Sequence, residues 1–289
     1  QQHFTYGERN NTRIYCGIIA DNTYLYLGTD NGILVYNYRT DKYEQPETDF
    51  PTDVRTMALQ GDTLWIGSLN GLYTYQLNTK KLASLDSKSN GLPHHTIYSI
   101  IRTTDNQIYI GTYNGLCRYI EESGKFENIP LPVNRNVSNL FVNSLLEDTS
   151  RQCIWIGMEG SLFQYTPATG LMKPIDAFHN NSIKSLALDG DGNLLAGTDN
   201  GLYVYQNDNG TLQHIVHDSR NIQSLTNNII WNIFADQEQN IWLGTDYGIS
   251  LSRYNSALQF IPISQITGTG DGNQFYSLFR DSKGFYWFG

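Results

Sequence analysis

One phrase recurs along this chain and restricts its fold more than any other feature. It is clearest at 108–119, Ile-Tyr-Ile-Gly-Thr-Tyr-Asn-Gly-Leu-Cys-Arg-Tyr. Ile108 and Ile110 alternate with Tyr109 as a half-buried strand requires, and Asn114-Gly115 supplies the positive φ of a tight turn. Leu116 to Tyr119 then runs back as a second strand. The first glycine of the phrase falls at Gly28, Gly67, Gly111, Gly157, Gly197, Gly244 and Gly289, 39 to 47 residues apart. Two residues earlier stand Tyr26, Trp65, Tyr109, Trp155, Leu195, Trp242 and Trp287; five residues later come Ile33, Leu72, Leu116, Leu162, Leu202 and Ile249. Eight residues later come Tyr36, Tyr75, Tyr119, Tyr165 and Tyr205, a rule the sixth copy breaks with Ser252 and a displaced Tyr254. Strand-only repeats of this period define propeller blades.

The expected fold is all-β: one propeller domain over residues 1–289 with seven four-stranded blades, six complete and the last split between the termini and incomplete. An apolar residue seven places after each repeat tyrosine (Tyr43, Leu82, Phe126, Met172, Leu212) marks the fourth strand. His3-Phe4-Thr5-Tyr6 resembles such a strand, and 275–289 supplies a first and a second strand, so the two ends are expected in one blade. Its third strand is missing, from which the natural protein is expected to continue. Gln1 fits a chain whose secretory signal was removed before the numbering begins.

Composition bears on function mainly by exclusion. A net charge of −9 argues against nucleic acid and anionic membrane surfaces as partners. The three cysteines, Cys16, Cys117 and Cys153, lie in different repeats without metal-ligand spacing and read as buried free thiols. The eight prolines all fall outside the two strands of the repeated phrase. No cofactor and no metal site is expected.

The innermost strand of each repeat reads apolar, variable, small, apolar. The small position holds Gly17, Thr56, Ser99, Ser144, Ser185, Asn232 and Ser277, which crowding around an axis explains better than a row of nucleophiles. The variable position holds Cys16, Arg55, Tyr98, Asn143, Lys184, Trp231 and Tyr276. A purely structural position would drift toward one residue type over seven copies; this one does not. Arg55, Tyr98, Asn143, Lys184, Trp231 and Tyr276 are therefore the candidate ligand-binding residues, at the channel mouth beside Asp30, Asn70, Tyr113, Glu159, Asp199 and Asp246 from the hairpin turns.

Trp-Ile-Gly-Ser-Leu-Asn-Gly-Leu at 65–72, Tyr-Ile-Gly-Thr-Tyr-Asn-Gly-Leu at 109–116, Trp-Leu-Gly-Thr-Asp-Tyr-Gly-Ile at 242–249 and the lead-in 229–236 resemble the two-component regulator propeller repeat. That resemblance implies the periplasmic sensor region of a hybrid two-component system of gut anaerobic bacteria, responding to glycan fragments. It further implies an oligosaccharide ligand, a second propeller, a β-sandwich domain, a membrane helix and a cytoplasmic histidine kinase elsewhere in the protein, with a homodimer possible. Gly160-Ser161 in the fourth repeat, Leu195 in the fifth and the lengthened sixth depart from the pattern locally.

Catalysis is the competing class, since similar propellers include lyases and glycosidases, and a protein-interaction scaffold is the third. Glycoside hydrolysis needs two carboxylates across a cleft, for which Glu159 with Asp199 or Asp246 could be proposed. Their place in hairpin turns, where such residues serve backbone geometry, favours a structural role. His94 and His95 are expected to point apart on an extended loop, a poor metal pair. Asp189-Gly-Asp191-Gly-Asn193 imitates a calcium loop but has Asn200 where the bidentate acid belongs, so a hairpin turn accounts for it better.

Overall fold

The computed structural model describes residues 12–288 except 21–22, 45, 47, 86–89, 133–139, 179–180, 207–209, 222, 254–257, 262–274, 282–283 and 285. It is built of antiparallel strands, with a 3-10 turn at Asp176–Phe178. Six four-stranded sheets follow one another in the chain, each with its strands hydrogen-bonded in sequence order. Their first strands are Ile14–Ala20, Val54–Gln60, Ile97–Arg102, Val142–Asp148, Ile183–Leu188 and Ile230–Ala235, and these number sheets 1 to 6 below. Each is a blade of the propeller type. The expected seven blades become six: the seventh repeat contributes a two-stranded sheet, Leu278–Arg280 with Tyr286–Phe288. Only the first two strands of a blade are encoded there, and the outer strand expected from residues 3–6 lies outside the described residues.

The chain divides into two compact units. One comprises Asn11–Glu159 with Phe163–Pro174; the other comprises Gln1–Asn10, Gly160–Leu162 and Ile175–Gly289. Within each, apolar side chains meet between successive sheets. In the first unit, Tyr26, Val35, Val54, Leu64 and Ile66 join sheets 1 and 2. Trp65, Leu72, Ile97, Ile100 and Ile108 join sheets 2 and 3, and Tyr109, Leu116, Val142, Ile154 and Ile156 join sheets 3 and 4. In the second unit, Leu195, Leu202, Ile230, Ile233 and Leu243 join sheets 5 and 6, while Ile249, Phe275 and Leu278 join sheet 6 to the two-stranded sheet.

This stacking explains the first glycine of the phrase. A Cβ on Gly67 would meet Ile97 of the next sheet at 2.5 Å, and one on Gly111 would meet the Val142 carbonyl oxygen at 2.7 Å. The glycine is a contact surface for the following blade, and the branched residue pressed on it recurs as Val54, Ile97, Val142 and Ile230. The turn that follows is stapled by a hydroxyl. Thr29, Ser68, Thr112, Thr198 and Thr245 each donate to the carbonyl of the second glycine three residues on, at 2.8–3.2 Å. Each also accepts an N–H from two residues on, at 3.0–3.1 Å. Sheet 4 has Met158 at that place, without the hydroxyl, and its turn reads Glu159-Gly160.

The repeat tyrosines pair as the spacing predicts: Tyr36 with Tyr43, Tyr75 with Leu82, Tyr119 with Phe126, Tyr165 with Met172 and Tyr205 with Leu212. At the same end of the sheets, away from the hairpin turn, the second-strand tryptophan is anchored to the turn between strands one and two. Trp155 donates to Asp148 at 3.1 Å, Trp242 to Asp236 at 3.0 Å, Trp287 to Asp281 at 2.9 Å, and Trp65 to Gln60 at 3.1 Å. Trp65 and Trp242 also wedge against the next sheet, on Tyr119 at 4.8 Å and Tyr286 at 4.5 Å between ring centroids. Asp189 accepts the N–H groups of Asp191 and Asn193 at 3.0 and 2.8 Å, the same carboxylate turn that Asp236 makes, so the calcium-like motif is a hairpin.

Candidate functional site

The variable position proves to be a β-bulge. In sheet 2, Val54 pairs with Ser68 and Thr56 with Gly67, so Arg55 is skipped by the ladder. The same skip isolates Tyr98, Asn143, Lys184 and Trp231 in sheets 3 to 6. A bulge leaves its extra residue unpaired and re-aims its side chain, which frees this one position from the packing that fixes its neighbours. A backbone bond closes the motif on its far side: the turn residue after the second strand donates its N–H to the carbonyl two residues before the bulge. Leu69 reaches Asp53 at 3.2 Å, Tyr113 reaches Thr96 at 3.0 Å, and Asp246 reaches Ile229 at 3.1 Å.

Sheet 1 corrects the sequence alignment by one residue. Ile14 pairs with Thr29 and Cys16 with Gly28, so Tyr15 is the bulge residue and Cys16 holds the small position assigned above to Gly17. The signal was available, since Ile14 precedes Tyr15 as Val54 precedes Arg55. The Cys16 thiol faces the Val54 carbonyl at 3.9 Å, and burial pushes it up to about 12, so it is an inert structural group. All three cysteines are free; Cys117 and Cys153 are buried and Cys16 is half-buried.

In the first unit the Arg55 guanidinium lies over the Tyr15 ring, 3.8 Å from its centroid, and 3.7 Å from the Asp53 carboxylate. Its Nε is buried without a hydrogen-bond partner. Burial raises the Tyr98 phenol above its ordinary value, with Arg55 pulling back and Tyr113 adding to the rise, so the hydroxyl stays a donor at neutral pH. Tyr98 contacts Phe141 at 5.5 Å, and Phe141 contacts Tyr113 at 4.1 Å. Asn143 stands half-buried in its bulge in sheet 4.

In the second unit Lys184 Nζ sits 4.6 Å from the Trp231 ring centroid, and Trp231 contacts Tyr276 at 5.2 Å. Trp231 Nε1 donates to Asp246 at 2.7 Å, fixing the plane of the indole. Each unit thus carries a cation held on an aromatic face beside a second aromatic ring, an arrangement worth about 0.5–2 kcal/mol to the pair itself. Asp246, weighed from sequence as half of a catalytic pair and read there as a turn residue, accepts the indole N–H.

The two histidines do not point apart. Bends at Pro93 and His95 replace the extended segment, and the rings stack at 4.3 Å with His94 also 5.0 Å from Tyr113. Burial, with help from His95, holds the His94 imidazole below its ordinary value, and its Nδ1 accepts the Thr96 N–H at 3.0 Å. Among the described residues no cluster of three or more His, Cys, Asp or Glu is placed to hold a metal ion, and no helix is long and apolar enough to cross a membrane.

Stacked four-stranded blades with a bulged mouth define a propeller that presents variable side chains from a constant frame. The chain carries the two-component regulator propeller repeat, whose model matches its residues 91–114 and 224–247. It is similar to the extracellular domain of the putative hybrid two-component system BT4673 from B. thetaiotaomicron, at 83% identity and a TM-score of 0.85. That match covers 100% of this chain and 39% of the other. It is also similar to Histidine kinase P4 of Formosa agariphila, 28% identical over 267 residues, covering 80% of this chain and 18% of that one. The chain thus spans well under half the length of these relatives. Virginiamycin B lyase from Staphylococcus aureus shares the fold at a TM-score of 0.76 and 14% identity.

Proposed function

We propose that this chain is a ligand-sensing propeller in the extracellular, periplasmic part of a hybrid two-component signalling protein, and that it responds to glycan fragments. In this reading the repeats form one propeller domain that works with a second propeller, a β-sandwich domain and a kinase in the same polypeptide; for the kinase and the two-component role, the resemblance to BT4673 and to Histidine kinase P4 is the support. The candidate ligand contacts form two sets, each taken by itself: Tyr15, Arg55, Tyr98 and Asn143 in one unit, and Lys184, Trp231 and Tyr276 in the other. One observation carries the proposal: a bulge at the same position in every complete sheet delivers large, chemically different side chains, while the residues around it repeat. A fold needs the bulge; it does not need the variety.

The test is isothermal calorimetry with purified oligosaccharides, with product analysis of the same mixtures. Binding without new reducing or unsaturated ends is the expected result. Turnover of any sugar would make the protein an enzyme, as the lyase-like fold allows. Neither binding nor turnover across the panel would leave the scaffold reading, and a partner chain would then be sought.

A further inference from the structure

The bulge residue Tyr98 does not stand alone on its side of the first unit. Phe141, Tyr113, His94 and His95 continue from it in unbroken ring contact, with centroid separations of 5.5, 4.1, 5.0 and 4.3 Å. None of the five is fully buried, and His95 at the outer end is exposed. Half-exposed rings in a row are an unusual use of aromatic residues, which a fold buries when it needs them only for stability.

The row is also held in place. Tyr113 is pinned through its N–H to Thr96 at 3.0 Å. The loop before sheet 4 crosses the turn of sheet 3 through an Asn114–Leu140 bridge, with Gly115 N–H on the Leu140 carbonyl at 3.0 Å. That crossing brings Phe141 onto Tyr113. The Thr96 N–H fixes Nδ1 of His94 as an acceptor, which leaves the imidazole hydrogen on Nε2 as a donor. Polar groups flank the rings: the Tyr98 hydroxyl and His94 Nε2 along the row, and the Arg55 guanidinium, whose charge acts on Tyr98, at the inner end. Rigid rings with hydrogen-bond donors at their edges are the chemistry of sugar recognition, in which ring faces cover C–H surface and donors meet hydroxyls. A protein or membrane partner would favour apolar side chains with fewer fixed donors.

We infer that Tyr98, Phe141, Tyr113, His94 and His95 form an extended subsite for an oligosaccharide chain, which runs outward from the bulge mouth over the turn of sheet 3. This rests on the sensing function proposed above and adds to it where the sugar chain lies: along these five rings, so that affinity builds with its length. The inner rings and Arg55 take one end; His95 takes a unit further along.

The experiment uses an array of mono- to hexasaccharides from α-glucan, β-glucan, mannan, xylan, galactan, pectic and sulfated polysaccharides, followed by calorimetry on each series that binds. Affinity is expected to rise with length beyond the disaccharide. His95→Ala should weaken only the longer members, about 2- to 10-fold, and leave the shortest binder unchanged. Tyr113→Leu, which keeps the turn apolar, should remove most of the gain from length. Length-independent affinity, or a longest member bound equally by both variants and the parent, would overturn the extended subsite while leaving glycan sensing intact. No binding by any sugar would overturn both.

Discussion

The two ends of each sheet are built on opposite principles. At the end with the turn between strands one and two, side chains are committed to one another. Trp155 is buried and donates to Asp148, which also accepts from Ser150, the Arg151 backbone and the Arg151 guanidinium at 2.7, 3.1 and 2.9 Å. Asp236 is used as fully, by Trp242, Asn240 and, at 2.6 Å, the Tyr286 hydroxyl of the two-stranded sheet. At the bulge end the backbone is equally regular, but the side chain it presents changes from sheet to sheet. Strong mutual constraint conserves residue type across repeats; a re-aimed, unpaired position relaxes it. Stability and recognition are therefore separated along the length of the strands, and substitutions should separate them too.

The largest effect is expected at the anchored end. Trp155→Ala removes a fully buried ring and strands the Asp148 carboxylate, and should cost about 3–5 kcal/mol in denaturant unfolding. A loss under about 1 kcal/mol would contradict the burial on which the contrast rests. Next comes the contact between blades: Gly111→Ala puts a methyl against Ser99 and the Val142 carbonyl, and should cost about 1–3 kcal/mol because backbone, not a flexible side chain, must move.

At the bulge end the readout moves from stability to binding. If an oligosaccharide ligand is found, Trp231→Ala and Arg55→Ala should each weaken it by about 1–2 kcal/mol with Tm nearly unchanged. A fall in Tm as large as that of Trp155→Ala would show that the bulge residues are structural and would erase the distinction between the two ends.

The smallest effect is a pH dependence. Burial pushes the Asp236 carboxyl up, but the hydrogen bonds from Tyr286, Trp242 and Asn240 outweigh it and hold the group down at about 2. Its folded value lies below the unfolded one of about 3.9, so it stabilises the fold above that unfolded value and the contribution is lost as pH falls toward 2. Acid unfolding followed by circular dichroism should therefore show a shallower dependence between about pH 4 and 2 in Asp236→Asn than in the parent. An unchanged acid limb would remove Asp236 from the anchored set. Tyr286, pushed up to about 12 by burial and by its bond to Asp236, remains a donor throughout this range.

Much of this was legible in the sequence because it is periodic. Seven copies of one phrase mark strand, turn and partner residues, and the pairing of Tyr119 with Phe126 or Tyr205 with Leu212 follows from spacing alone. The candidate positions were visible for the same reason, as a place where residue type changes from copy to copy while its neighbours repeat. What stayed hidden depends on geometry that no spacing encodes. That the ladder skips Tyr15, Arg55 and the other variable residues is a feature of strand pairing. The stacking of His94 on His95 follows from local bends, and the contact of Phe141 with Tyr113 follows from a loop crossing between two sheets.

The sequence by itself determined the blade: local alternation, turn chemistry and repeat period act within some 45 residues and need no distant partner. Only the tertiary structure decided which side chains meet. Arg55 over Tyr15 and Lys184 over Trp231 join residues 40 and 47 positions apart, each pair on successive sheets. Such contacts are set by how neighbouring blades twist and stack against one another, a sum of many small packing terms that no single residue announces.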